Sequence, residues 1–131
     1  IIGGYKIFGF NELGLRASSV LFISLFVGMV FVILSIYFST WLSFFGAMVM
    51  LVSKGIIGFH VGRTADMDAE LLFLLALQLF LFIKYYTLQQ NKYLYFLSLV
   101  VFVSFFLKTT AAFLFVPGFV LFYFFKGEWL T

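Results

Sequence analysis

The sequence predicts an all-α integral membrane protein with about five transmembrane helices, and three observations predict it. Of its 131 residues, 65% are hydrophobic and 10% are charged, against roughly 45–50% apolar and about 25% charged in a soluble domain. No charged residue lies between Arg16 and Lys54, a stretch too long for one span of about 20 residues and long enough for two. The aromatic residues that favour membrane interfaces also gather at the ends of alternate apolar runs. Such a chain lacks the polar surface to cover a globule, so its natural solvent is a bilayer.

The first span is expected over about 17–38 and the second over 41–59, separated by the short polar break "FST". The third covers about 71–88, with Lys84 near its end, where a long side chain can snorkel to the interface. The fourth, "YLYFLSLVVFVSFFL", covers 93–107. The fifth, "AAFLFVPGFVLFYFF", covers 111–125 and holds the only proline, Pro117, which is expected to kink it. No linker or repeat marks a second domain, so residues 1–131 read as one membrane-domain piece. The chain opens on "IIGGYKIFGFNELGLR" with no initiator Met, basic n-region or cleavage site. It is therefore expected to be an internal piece of a longer polytopic protein.

Alternating the spans sorts the loops onto two faces. Face one takes the opening segment, the loop from His60 to Glu70 and the turn at "LKTTAA". Face two takes "FSTW", "YYTLQQNKY" and "FKGEW". Tyr37, Trp41, Tyr85, Tyr86, Tyr93, Tyr95, Tyr123 and Trp129 all fall at face two, as an aromatic belt should. Charge divides less cleanly. Lys6, Arg16, Lys54, Arg63 and Lys108 lie towards face one, which by positive charge alone would be cytoplasmic. Face one also carries Glu12, Asp66, Asp68 and Glu70, and charge of both signs fits a site better than a topogenic signal.

The function classes narrow accordingly. The net charge of +3 is scattered, with no basic stripe for nucleic acid. Cysteine is absent, which removes disulfides and Cys-based metal sites. What stands out is "GIIGFHVGRTADMDAELLFLLAL". Within eleven residues it gathers His60, the only histidine, with Arg63, Asp66, Asp68 and Glu70. If the third helix begins soon after Gly62, Arg63 and Asp66 are at i,i+3, and Asp66 and Glu70 at i,i+4, on one helix face. The bland reading is an ion-paired helix start, with acids favoured by the macrodipole. The sharper reading is a polar pocket opening at the membrane surface. Asp66, Asp68 and His60 leave room for a divalent cation, although D-x-D is a weak motif and the metal stays unknown. Gly55, Gly58 and Gly62 favour close helix packing. Lys108 is either a snorkelling anchor or a point charge for a phosphate.

Three segments, "FGFNELGLRASSVL", "GFHVGRTADMDAELLFLLAL" and "FLKTTAAFLFVPGFVLFYFFKGEW", occur in the order seen in GT-C membrane glycosyltransferases. The chain most resembles glycosyltransferase family 39 and its bacterial relatives, the aminoarabinose transferases of lipid A and the protein O-mannosyltransferases. Each motif alone is weak; three in register are specific. Where the family commonly has Lys-Gly-Pro, this chain has Lys108-Thr109-Thr110. The resemblance implies a larger GT-C helical bundle and a polyprenyl-phosphate-linked sugar donor. Transfer would be to a lipid or protein acceptor on the extracytoplasmic side, in a bacterial inner membrane. It implies no certain cofactor, and a catalytic acid in a loop upstream of residue 1, so that the 131 residues alone are expected to be inactive. Arg63 and Lys108 are then the expected donor-phosphate cations. Asp66, Asp68 and His60 are expected to orient Arg63 or hold sugar hydroxyls, and Glu12 and Arg16, at i,i+4, to tie the opening segment to the first span. An ion-coupled transporter or flippase, in which Arg63, Asp66 and Asp68 gate a path, suits the short and Pro-interrupted spans as well. A non-catalytic membrane scaffold held by ion pairs is the third alternative.

Overall fold

The computed structural model describes residues 12–53, 68–108 and 110–126, with backbone alone at 12–16, 123 and 126. Among these residues there are five α-helices and no strand: α1 Glu12–Ser35, α2 Thr40–Val52, α3 Asp68–Leu88, α4 Asn91–Leu107 and α5 Val116–Lys126, with a 3₁₀ turn at Ala111–Phe113 before α5. Two segments are long and apolar enough to cross a bilayer, Ala17–Ser35 and Asp68–Leu88. The 21 residues of α3 extend about 31 Å at 1.5 Å per residue, matching a hydrocarbon core of about 30 Å. Three apolar helical segments are shorter: Thr40–Val52, Asn91–Leu107 and Ala111–Phe122.

The chain divides into two compact units, 1–76 and 77–131, with the boundary inside α3. In the first unit, α1 ends in a tightening turn, where Tyr37 N donates to Leu34 O at 3.0 Å and Ser35 Oγ to Val32 O at 2.8 Å. Ser39 then caps α2 through its carbonyl, which accepts both the N–H and the hydroxyl of Ser43 at 3.0 Å. Gly46 allows α2 to lie against the end of α1, since a Cβ there would fall 2.8 Å from Leu34 Cδ1. The core joins Ile23 and Phe26 of α1 to Ala69 and Ala76 of α3. Those alanines, seven residues apart, share one helix face and bring the α1 side chains close. Phe22 and Phe73 close that seam, with ring centroids 5.9 Å apart.

In the second unit, α3 stops at Gln89, which holds a left-handed backbone with φ 50°. Its N–H donates to Tyr85 O at 2.8 Å and its side-chain amide to Tyr86 O at 2.9 Å, satisfying carbonyls that the helix end would otherwise leave open. The core is Leu81 and Phe82 of α3 with Leu97 of α4. Phe82 stacks on Phe119 of α5 at 4.1 Å, and Tyr86 meets Phe122 edge-on at 5.2 Å.

Residues 111–125 depart from the expected single span kinked at Pro117. A 3₁₀ turn and a further turn come first, and Pro117 is the second residue of α5. In a first helical turn the missing proline N–H costs little, because the first N–H groups of an α-helix have no intrahelical partner, and the fixed φ suits a helix start. Proline begins this helix rather than bending it. The Lys84 Nζ lies 5.6 Å from the Phe80 ring centroid, following the tilt of helical side chains towards the N-terminus.

Beside its apolar cores, the protein buries small polar groups and exposes many large apolar ones. Gln78, Ser19, Ser43 and Ser104 are the largest fully buried side chains, while Trp41 is 75% and Phe125 83% exposed. Small polar groups at helix contacts and large apolar groups outside are what a hydrocarbon solvent selects. With its helices this marks an all-helical membrane protein.

Candidate functional site

Helix ends position the charged residues. α3 begins at Asp68 and has Asp68 and Glu70 in its first turn, where carboxylates favour the positive end of the macrodipole. Asp68 is half-buried next to Ala69, which is fully buried. The acids therefore stand where α3 docks on α1. Glu12 and Arg16 lie in the first turns of α1, one turn apart along the helix, as their i,i+4 spacing implied. His60, Arg63 and Asp66, with Gly55, Gly58 and Gly62, lie outside the described residues.

Lys108 caps the other end of the second unit. Its N–H donates to Ser104 O and its carbonyl accepts from Ala112 N, both at 3.1 Å. The backbone between is extended, with φ −157° and ψ 100°. The α4 end and the 3₁₀ turn thus hold the Lys108 backbone from both sides, while its side chain is exposed. A cation here also suits the negative end of the α4 dipole. Geometry alone serves an anchor and a phosphate contact equally.

Sequence reasoning passed over Gln78, which is fully buried and donates from Nε2 to Ser104 Oγ at 3.1 Å. Ser104 Oγ in turn donates to Val100 O at 2.7 Å. The signal was present, since Gln78 is the only polar residue between Glu70 and Lys84.

The fold defines a helical membrane domain with charged groups at helix ends. The chain matches the dolichyl-phosphate-mannose-protein mannosyltransferase family over residues 1–131, and it belongs to that family. Membership supports a membrane glycosyltransferase kind of function. No curated protein and no solved structure matches the chain.

Proposed function

We propose that the protein takes a sugar from a polyprenyl-phosphate donor held in the bilayer and transfers it to an acceptor on the extracytoplasmic side of a bacterial inner membrane. The observation that carries this reading is the family match along the whole chain. Elementary chemistry fits the charges to it. Breaking the bond from sugar to phosphate leaves negative charge on the phosphate oxygens, and a cation placed there lowers the barrier. Arg63 offers a planar fork of donors for such a group, and Lys108 a compact point charge. Asp66, Asp68 and His60 serve as acceptors and donors for sugar hydroxyls, or orient Arg63. A divalent metal at these acids is a further option, and the donor set of two carboxylates and an imidazole would suit it.

The test supplies the full-length protein, in bilayers, with a polyprenyl-phosphate sugar or with the matching nucleotide sugar alone. Transfer is expected from the lipid-linked donor only. Equal transfer from the nucleotide sugar, in the absence of lipid carrier, would overturn the reading.

A further inference from the structure

The hairpin of α4 and α5 is shorter than the helix it packs on. Gln78 stands ten residues from either end of α3, about 15 Å from each at 1.5 Å per residue, at the middle of the span. Leu97 of α4 packs on Leu81 and Phe82, and Ser104 meets Gln78. So α4 runs antiparallel to α3 and comes level with its middle at Ser104. The Lys108 N–H closes the last turn onto Ser104 O. Regular helix therefore ends about 6 Å past the middle, about 9 Å short of the face-one end of α3. The register of α5 gives the same level independently. Phe82 stacks on Phe119 and Tyr86 meets Phe122, 37 and 36 residues apart, so α5 runs parallel to α3. Val116, its first residue, then comes level with Leu79 or Phe80, within a turn of Gln78. The connection after Lys108 lies inside the hydrocarbon thickness.

That depth sets a solvation problem. The last carbonyls of a helix have no partner within it, and hydrocarbon supplies none. A lysine ammonium can snorkel along its stem; a peptide carbonyl cannot. Irregular backbone at membrane depth is tolerated only inside protein or beside a water-filled cavity. Lys108 and Thr110 are both exposed, while Ala112 is fully buried. Towards face two the unit holds a partly open cleft of about 520 Å³, lined mainly by apolar side chains, among them Phe82, Leu97, Val101, Phe113 and Phe119. The polar side of the turn is therefore the one towards face one. Lys92, Lys108 and Lys126 are the only charges from Asn91 to Lys126, so the turn presents positive charge alone. We propose that the α4–α5 turn floors a water-filled pocket entering the bilayer from face one. The phosphate end of a lipid-linked substrate descends into it, about 9 Å below the membrane surface. This occupant rests on the transferase reading, in which Lys108 meets the donor phosphate; the pocket itself rests on helix length and register.

Thr110→Cys is made in a cysteine-free background of the full-length protein, in sealed proteoliposomes, with Glu70→Cys and Gln90→Cys marking the two faces. A small charged methanethiosulfonate should modify the Thr110→Cys variant from the same side as Glu70→Cys. Biotin maleimides of stepwise longer spacer, captured by streptavidin, should need about 9 Å more for Thr110→Cys than for Glu70→Cys. A short-chain polyprenyl phosphate should protect the Thr110→Cys variant, and inorganic phosphate only at far higher concentration. Adding Lys108→Gln should keep the site accessible and raise the protecting concentration about tenfold or more, the worth of one charge-assisted contact. Equal spacer lengths would put the turn at the surface, and no modification from either side would bury it in protein. Modification from the Gln90 side would open the pocket the other way. Each of these overturns the proposal, as does protection by inorganic phosphate at equal concentration or none by the polyprenyl phosphate. Sugar transfer is assayed separately and accessibility needs no turnover, so failure of the pocket and failure of the transferase reading are told apart.

Discussion

Gln78 of α3 and Ser104 of α4 are both fully buried, and their side chains meet at 3.1 Å. The amide nitrogen donates to the hydroxyl, whose own O–H donates to Val100 O. Gln78 Oε1, on the same amide, is buried and has no hydrogen-bond partner. The pair therefore carries both a gain and a cost, and truncating either side separates them. Ser104→Ala strands the Gln78 amide as well as its carbonyl and is expected to destabilise by about 1–2 kcal/mol. Gln78→Leu removes the stranded carbonyl, leaves Ser104 bonded to Val100, and is expected to be near neutral or stabilising. Unfolding in mixed micelles ranks the two variants, and greater damage from Gln78→Leu would show that the bridge outweighs the orphan carbonyl.

The turn after α3 predicts a backbone effect. Gln89 has φ 50°, a conformation costing a side-chain-bearing residue roughly 1–2 kcal/mol and glycine nothing. Gln89→Gly is expected to be neutral to stabilising, since only the single bond to Tyr86 O is lost. Gln89→Val, β-branched and without that bond, should lower the unfolding midpoint clearly. Indistinguishable Gly and Val variants would show that this residue leaves the left-handed region.

Close approach of α1 and α2 rests on Gly46. The atom a Cβ would strike is Leu34 Cδ1, at 2.8 Å, the mobile end of a side chain rather than backbone. Gly46→Ala should therefore be tolerated, since the rotation it asks of Leu34 is offset by about 1 kcal/mol of helix propensity. Gly46→Leu should destabilise by about 1–3 kcal/mol through overpacking, and Leu34→Ala should restore much of it. The cycle of single and double variants, followed by thermal unfolding, measures the coupling. Simple additivity would dissolve the contact.

How much of this was legible in the sequence depended on whether local pattern or assembly decided the outcome. α3 was readable because an unbroken apolar run followed acids at helix-start spacing, and the structure extends the helix back to Asp68 for that same reason. The fifth span was not, because "AAFLFVPGFVLFYFF" is apolar throughout and hydropathy cannot tell a proline that starts a helix from one that bends it. The contact of Lys84 with the Phe80 ring is set by side-chain direction, which hydropathy does not carry. Of the charged cluster, the spacing joined Arg63, Asp66 and Glu70 on one helix face; Asp68 and Glu70 lie in the first turn of α3, and Arg63 and Asp66 lie outside the described residues. The cleft could not be read at all, since its walls come from three helices and no sequence window holds them together.

Topology gives a fourth prediction. The apolar length of α3 puts Glu70, in its first turn, and Gln90, two residues past its end, on opposite sides of the bilayer. Single cysteines at these positions, in a chain with no native cysteine, should react with an impermeant maleimide from opposite sides of sealed vesicles. Labelling of both from one side would remove α3 as a span.

The last prediction separates catalysis from ion pairing at the charged segment. In the full-length protein, Arg63→Ala and Asp68→Asn are expected to abolish sugar transfer while leaving folding largely intact. If Arg63 only pairs with a neighbouring acid, the loss is that of a surface ion pair, about 0–1 kcal/mol, and transfer survives. If it meets the donor phosphate, loss of a charge-assisted contact that strengthens in the transition state should cost about a hundredfold or more in rate. Arg63→Lys then keeps the charge and loses the fork, so it should retain partial activity. Asp68 discriminates in its own way. Its favourable position in the first turn of α3 contributes about 0.3–1 kcal/mol to the helix, and Asp68→Asn should leave the transfer rate of the folded protein unchanged if the role is structural. Transfer rate against donor concentration, in purified variants with unchanged unfolding midpoints, decides between the two. Near wild-type kinetics in Arg63→Ala would assign the guanidinium to structure and leave Lys108 as the cation to test next.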